Sequence, residues 1–380
     1  MKLPLELALM VSSAIAAPLT PRSAAFPQLT GLTSTSRDLS TTDTRFPQKY
    51  FHESIYHPHY DGRFADSILP RKTRLFHMRL LLRSYMAAME RAGIRAWIMH
   101  GSLLGWWWNR GMFPWDSDLD VCVEETGMAE LGAWWNMTVQ HFTADDLGLD
   151  DPSKPDTHIW HRPRRGGEGE LGATERLREP EGLKSGVWDK VLKTGKKYLL
   201  EVNPHFTDTS TNDRHNVIDA RWIDTSTGLF IDITTVHSVP SSESTDSGEM
   251  YTKDTHLYTT SSLFPLREAR FEGTRVFVPY AYEQLLVEEY GPRSLTETRF
   301  GDYQFNEDTK EWALAPAAAG TGKGKGDKKD AAGWFRKGGK KPKWKPADDK
   351  ERNKKDNAGG KAYTPSPGRL GDVHVVPGSG

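Results

Sequence analysis

Residues 116–123 read DSDLDVCV, placing aspartates at every second position with apolar residues between and after them. In an extended strand, side chains two apart project from one face, with Cα atoms roughly 6.5 Å apart. Asp118 and Asp120 then meet on one face together with Cys122, while Leu119, Val121 and Val123 take the other. Carboxylates converging in this way repel each other unless a cation or a proton lies between them. Oxygen-rich sets of this kind suit Mg²⁺ or Mn²⁺, usually shared with substrate phosphates. The plain alternative is a solvated acidic loop beside a core strand.

The preceding residues weigh against that alternative. HGSLLG, residues 100–105, offers a Gly-Ser turn with backbone N–H groups and a hydroxyl at a helix start, a natural phosphate cradle. It is not a P-loop, because the required Lys-Ser/Thr pair is absent. A short helical piece follows through Trp106, Trp107 and Trp108 and breaks at Gly111 and Pro114. Arg110 lies in the loop before the strand, where its guanidinium fork could pair with phosphate oxygens. His100 suits either a phosphate or a cap of the turn. A third carboxylate can come from Asp232 in LFIDIT, which has an apolar neighbour on each side, or from its rival Asp224 in RWIDT.

Around this block the chain divides by composition. Lys2, the apolar run from about Leu5 and Ala14-Ile15-Ala16 have the layout of a secretory signal over residues 1–17, with an uncleaved anchor as the alternative. Residues 18–50 are rich in Ser, Thr and Pro and read as a stem. The folded body is expected over 51–316, opening with a helix that starts at Pro70, ends at Gly93 and carries Leu75, Met78, Leu82, Tyr85 and Met89 on one face. Residues 94–99 read as a buried strand, and DTSTG as a hairpin loop between two apolar runs. Two strands flank Gly273, followed by a helix from about Tyr282 to Glu289, while 143–186 and 238–262 read as long polar loops.

Charge separates the two ends of the molecule. Residues 317–362 hold 15 Lys/Arg against 6 Asp/Glu, a surplus of +9 in a chain of net charge −1, which leaves −10 for the remainder. The low-complexity tail, 317–380, reads as a solubilising or anion-seeking appendage. In a secretory setting its partners would be phosphoglycans or anionic membrane rather than nucleic acid. The single cysteine, Cys122, forbids an internal disulfide and reads as a small buried hydrophobe. His52, His57 and His59 are spaced loosely enough for zinc, but lack a fourth ligand and read as surface residues. At least one of the three consecutive tryptophans belongs in the core.

The run HGSLLG…RGMFPWDSDLDV closely resembles the signature of the LicD/fukutin-related family of phosphosugar and phosphocholine transferases. FIDI and LFPLREARFEGTRVFVPYAYEQLLVEEYG look like its later blocks, so the resemblance spans about 75–300. The secretory start and Lys-rich tail resemble its fungal branch, implicated in adding mannosylphosphate to cell-wall glycans. The resemblance implies an α+β fold, a nucleotidyltransferase-like mixed sheet with flanking helices. It implies transfer of a phosphosugar from a nucleotide donor such as GDP-mannose to a mannose-rich glycan hydroxyl, releasing a nucleoside monophosphate, in the Golgi lumen or on its membrane. Asp118, Asp120 and Asp232 would hold Mn²⁺ or Mg²⁺ and be the catalytic residues, with Asp116 supporting them from behind. His100, Gly101, Ser102 and Arg110 would face the donor. WWWN is bulkier than the family's usual segment, which leaves the acceptor side open. Two alternatives stand beside this: a non-catalytic regulator of mannosylphosphorylation that binds the donor or a partner glycosyltransferase, and an ordinary metal-dependent glycosyltransferase that releases a nucleoside diphosphate.

Overall fold

The computed structural model describes residues 26–29, 31–41, 49–151, 176–239 and 248–315. The expected signal segment and the basic tail lie outside these residues. Among the described residues no helix is long and apolar enough to cross a membrane.

The body is built on a mixed sheet. Its strands are β1 (Ala96–Ile98), β2 (Asp120–Glu124), β3 (Thr138–Phe142), β4 (Lys196–Val202), β5 (Ala220–Asp224) and β6 (Phe230–Ser238), in the order β1-β2-β6-β5-β4-β3. The pairing of β2 with β6 is parallel, and the others on this path are antiparallel. β7 (Glu249–Tyr251) and β8 (Leu257–Thr259) continue the sheet from the far end of β6. The α+β expectation, a mixed sheet with flanking helices, describes this architecture.

Strand alternation sorts two cores. Tyr198, Leu200, Trp222, Ile231 and Ile233 point into the main one, and Val139, Leu199, Ile223 and Phe230 point to the opposite face. Helix α1 (Arg71–Ala92) covers the main face, where Trp222 donates from Nε1 to Ser84 Oγ at 3.0 Å and stacks on Tyr198. Pro70 precedes the helix, and Gly93 ends it at φ 71°, a backbone region that glycine enters without a Cβ clash. The expected apolar stripe proves too narrow. Met78, Leu82, Tyr85 and Met89 are buried, but so are Phe76, Leu80 and Leu81, while Leu75 is only half-buried. A second layer accounts for this: the hairpin of β9 (Arg267–Phe271) and β10 (Thr274–Val278) packs against α1 as well.

The remaining helices are short. They are α2 (His100–Asn109), α3 (Glu125–Glu130), α4 (Val187–Thr194), α5 (Thr260–Leu263) and α6 (Tyr282–Tyr290). A separate three-stranded sheet, β11 (Arg299–Phe300), β12 (Tyr303–Asn306) and β13 (Glu311–Leu314), closes the described chain. It has a clear purpose. Trp108 contacts Phe305 and Trp312, and Trp115 contacts Phe300, Tyr303 and Trp312, so these strands shelter the tryptophans around the acidic segment.

Three expectations need correction. Residues 248–263 form β7, β8 and α5 rather than a continuous polar loop, with Thr259 and Ser262 making a reciprocal capping box. The span 143–186 is not wholly exposed, since Leu147 and Leu149 are buried and Leu149 bridges to Leu177. The Ser/Thr-rich segment before residue 51 is also more than a stem. Leu29, 1% exposed, joins Phe64, Val139, Leu199, Ile223 and Phe230 in the second core. Leu39 N–H donates to the Gly62 carbonyl at 2.9 Å, and a side chain at 62 would strike the Leu39 backbone.

Arg63, 4% exposed, clamps this region to β4 between Asp61 and Glu201, each at 2.6 Å. If the early segment is part of the body, Leu29→Ala should cost about 2–5 kcal/mol by urea unfolding, as for other buried leucines. A loss within 0.5 kcal/mol would return the segment to a stem.

Candidate metal and phosphate site

The acidic segment leaves α2, turns at Pro114 and enters β2 beside β6. In the parallel register Asp120 lies opposite Asp232, so two neighbouring strands present carboxylates at the same level. Asp232 N–H donates to the Leu119 carbonyl at 3.0 Å, and Asp120 N–H donates to the Ser102 hydroxyl at 3.0 Å. Ser102 is buried, and it fixes the start of β2 against the first turn of α2. Gly101 is next to it. A Cβ added there would lie 3.7 Å from Asp116 Oδ2 and 4.0 Å from Asp120 Oδ2, so the glycine keeps the space before both carboxylates open.

Asp116, Asp118, Asp120 and Asp232 therefore share one electrostatic neighbourhood, and their repulsion falls unequally. Burial and the adjacent Asp118 push the carboxyls of Asp116 and Asp120 well above the usual carboxylate range. Burial works against ionising Asp118 too, but a hydrogen bond with Asp116 and the nearby His59 outweigh it, and its carboxyl sits below the usual range. Burial also raises Asp232, partly offset by Arg221, whose Nε donates to Asp232 Oδ1 at 2.8 Å. Without a cation this group must hold protons. The donor set is all oxygen and mutually repelling, chemistry that suits a hard divalent ion, but among the described residues no three of its oxygens lie within 4.8 Å of one another.

Asp224 is elsewhere. It ends β5 at the hairpin turn, fully buried, in an ion pair with Lys196 and 3.9 Å from His77. Burial disfavours its charge, yet Lys196 prevails and its carboxyl lies below the ordinary range. Between the two rivals, Asp232 is the one that joins Asp118 and Asp120.

The other residues expected to face the donor divide. Gly101 and Ser102 border the carboxylates as described. Arg110 folds back onto α2, its guanidinium 4.1 Å from the Trp106 ring centroid and donating to the Trp106 carbonyl at 2.8 Å. His100 turns toward α6 and hydrogen-bonds through Nδ1 with Glu289 at 2.9 Å. Two neighbours escaped the sequence reading. His59 Nδ1 bonds Ser117 Oγ at 2.7 Å, and its Nε2 is 3.7 Å from Asp118 Oδ2. Arg221 reaches Asp232 because β5 pairs with β6 in that register. The sequence reading took His59, with His52 and His57, for a surface histidine, whereas the structure brings it to Asp118. The tryptophans serve packing: Trp106 is buried against Tyr282, and Trp108 donates to the Ser294 carbonyl.

Residues 93–161 match the family model described as LicD/FKTN/FKRP, nucleotidyltransferase domain, a span that includes β1, α2, the acidic segment and β2. The chain is similar to Mannosyltransferase regulator 4 of Saccharomyces cerevisiae, 28% identical over 180 residues, covering 46% of this chain and 11% of the relative. It is likewise similar to Mannosyltransferase regulator 14 of the same yeast, 27% identical over 229 residues, covering 57% of this chain and 19% of the relative. The chain thus spans between about a tenth and a fifth of the length of these relatives. Asp116, Asp118 and Asp120 lie inside the matched span, which is similar to a LicD-family nucleotidyltransferase domain, and Asp232 lies beyond it.

Proposed function

We propose that this chain transfers a phosphosugar, with GDP-mannose as the favoured donor, to a hydroxyl of a mannose-rich glycan in the secretory pathway. The observation that carries this reading is the pairing of Asp120 with Asp232 across β2 and β6, with Asp116 and Asp118 electrostatically coupled to them and Gly101 leaving room in front. In the reaction an acceptor hydroxyl oxygen bonds to the sugar-bearing phosphorus and gives up its proton to solvent, the phosphoanhydride bond breaks, and a nucleoside monophosphate leaves. Asp118, Asp120 and Asp232 would hold Mn²⁺ or Mg²⁺, which when bound neutralises the diphosphate and polarises the attacked phosphorus. The chain's own residues prepare the place. Ser102 holds β2 in register, Arg221 orients Asp232, and the first turn of α2 presents backbone N–H groups to donor phosphate.

The names of the yeast relatives favour a second reading, in which the chain binds donor or a partner enzyme and regulates mannosylphosphorylation. The Arg221 contact on Asp232 is compatible with it, since a carboxylate already paired has less charge to offer a metal. Turnover separates the possibilities. Release of nucleoside monophosphate supports the transferase, diphosphate an ordinary glycosyltransferase, and tight binding without release a regulator.

Binding linkage supplies a first test. Mn²⁺ with GDP-mannose should raise the melting temperature of the wild type, with a stabilisation of about 2.7 kcal/mol at one hundred times Kd. Asp118→Asn and Asp232→Asn should lose most of that gain and all nucleotide release. Gly101→Ala should fold normally yet weaken donor binding by about tenfold, or about 1.4 kcal/mol. Asp224→Ala should do the reverse, losing about 3–5 kcal/mol of stability by stranding the buried Lys196 while keeping the metal response. An unchanged response in both aspartate-to-asparagine variants would overturn the assignment.

A second test uses pH. Asp116 and Asp120 hold their protons more tightly folded than unfolded. Their stabilising contribution is therefore complete below about pH 4 and is lost as pH rises through their raised folded values. In chelator, wild type should lose stability relative to Asp120→Asn as pH climbs from about 4, and saturating Mn²⁺ should reverse the order in favour of the wild type. Parallel stability curves in chelator would show that the carboxyls do not repel.

A further inference from the structure

Beside the aspartates lies a second cluster of different chemistry. His100, His256 and Glu289 come from α2, the β7–β8 turn and α6, and one ligand atom from each lies within 4.8 Å of the others. His100 Nδ1 is 2.9 Å from Glu289 Oε1, His256 Nε2 is 3.8 Å from the same oxygen, and the two rings are 4.9 Å apart between centroids. From these residues we infer a transition-metal site, best suited to Zn²⁺, formed by His100, His256 and Glu289 and separate from the oxygen-only aspartate group.

Three features point beyond a simple ion pair. His256 has a carboxylate behind it: Nδ1 bonds Asp254 Oδ2 at 2.7 Å, which fixes the tautomer and leaves the Nε2 lone pair facing Glu289 and His100. A carboxylate–histidine pair of this kind orients imidazole ligands in metal sites. His100 is backed in its turn by a hydrogen bond with the buried Cys122 thiol. The cluster also opens to solvent, with side-chain exposures of 15% for His100, 25% for His256 and 16% for Glu289, so an ion can enter.

Distances are compatible with small adjustments. Tetrahedral zinc with bonds of about 2.0–2.1 Å separates its donors by about 3.3 Å, so donor separations need to change by at most about 1.5 Å. Two imidazoles and a carboxylate select zinc over magnesium, and three protein donors leave a fourth position for an oxygen ligand. Without metal, a proton shared by His100 and Glu289 balances the charge, and the metal would displace it. This inference does not rest on the transferase reading.

Cobalt provides a visible probe. The full chain, stripped with chelator and held in excess Mg²⁺ to fill oxygen-only sites, is titrated with Co²⁺ and then Zn²⁺. One equivalent of Co²⁺ should give the intense visible bands of a four-coordinate site, and Zn²⁺ should bleach them. Asp118→Asn should keep the bands. His256→Ala should lose them, and Asp254→Asn should weaken Co²⁺ binding about 10–100-fold. Glu289→Gln, which preserves shape, gives the same answer if His256→Ala proves unfolded by melting. Absence of intense bands in the wild type, their persistence in folded His256→Ala or Glu289→Gln, or their loss in Asp118→Asn would overturn the site.

Discussion

The parallel pairing of β2 with β6 is the constraint on which the candidate site depends. It sets Asp120 opposite Asp232, although the two are far apart along the chain, and it brings the Leu119 carbonyl to the Asp232 N–H. A slip of one residue would turn one carboxylate to the opposite face and place an apolar side chain against the other. The register is held from both sides. Asp120 N–H is bonded to the buried Ser102 hydroxyl, and Asp232 is bonded to Arg221 from the next strand. Electrostatic crowding is thus imposed by the sheet rather than chosen by mobile side chains, and under the proposed function it would pre-organise the site for a cation.

The aspartates do not share that crowding equally. Asp118 has His59 and the Asp116 hydrogen bond to favour its charge, while Asp116 and Asp120 are pushed toward the protonated form. One carboxylate that favours its charged form, Asp118, thus stands among three that burial pushes toward the protonated form, Asp116, Asp120 and Asp232. A bound ion would be expected to reverse this imbalance by favouring all the charged forms.

What was legible in the sequence follows from how local each feature is. Helix α1, strand β1, the β5–β6 hairpin and the strands around Gly273 carry strong periodic or turn patterns, and each is present. Asp118, Asp120 and Cys122 could be read from alternation alone, and Cys122 is fully buried as expected. Strand β3 was hidden because TVQHF mixes polar and apolar residues without clean alternation, and its place is decided by pairing with β4. The strands from Arg299 to Leu314 were missed because their role is to cover tryptophans distant in sequence. Choosing between Asp232 and Asp224 required strand order, since each directly follows an apolar residue in one of two adjoining strands. His59, Arg221 and the His100–His256–Glu289 cluster are wholly tertiary: no spacing links residues brought together from different elements. Arg110 illustrates the opposite error, where a chemically apt residue beside the motif turns back to cap its own helix.

The central claim, that the aspartates of β2 and β6 form a divalent-cation site, is tested most directly by anomalous diffraction from crystals grown with Mn²⁺ and a non-transferable donor analogue. The account predicts a manganese peak at bonding distance from Asp118, Asp120 and Asp232, with analogue phosphate oxygens completing its shell. Ordered analogue with no manganese among these carboxylates, or manganese bound only at other residues, would contradict it.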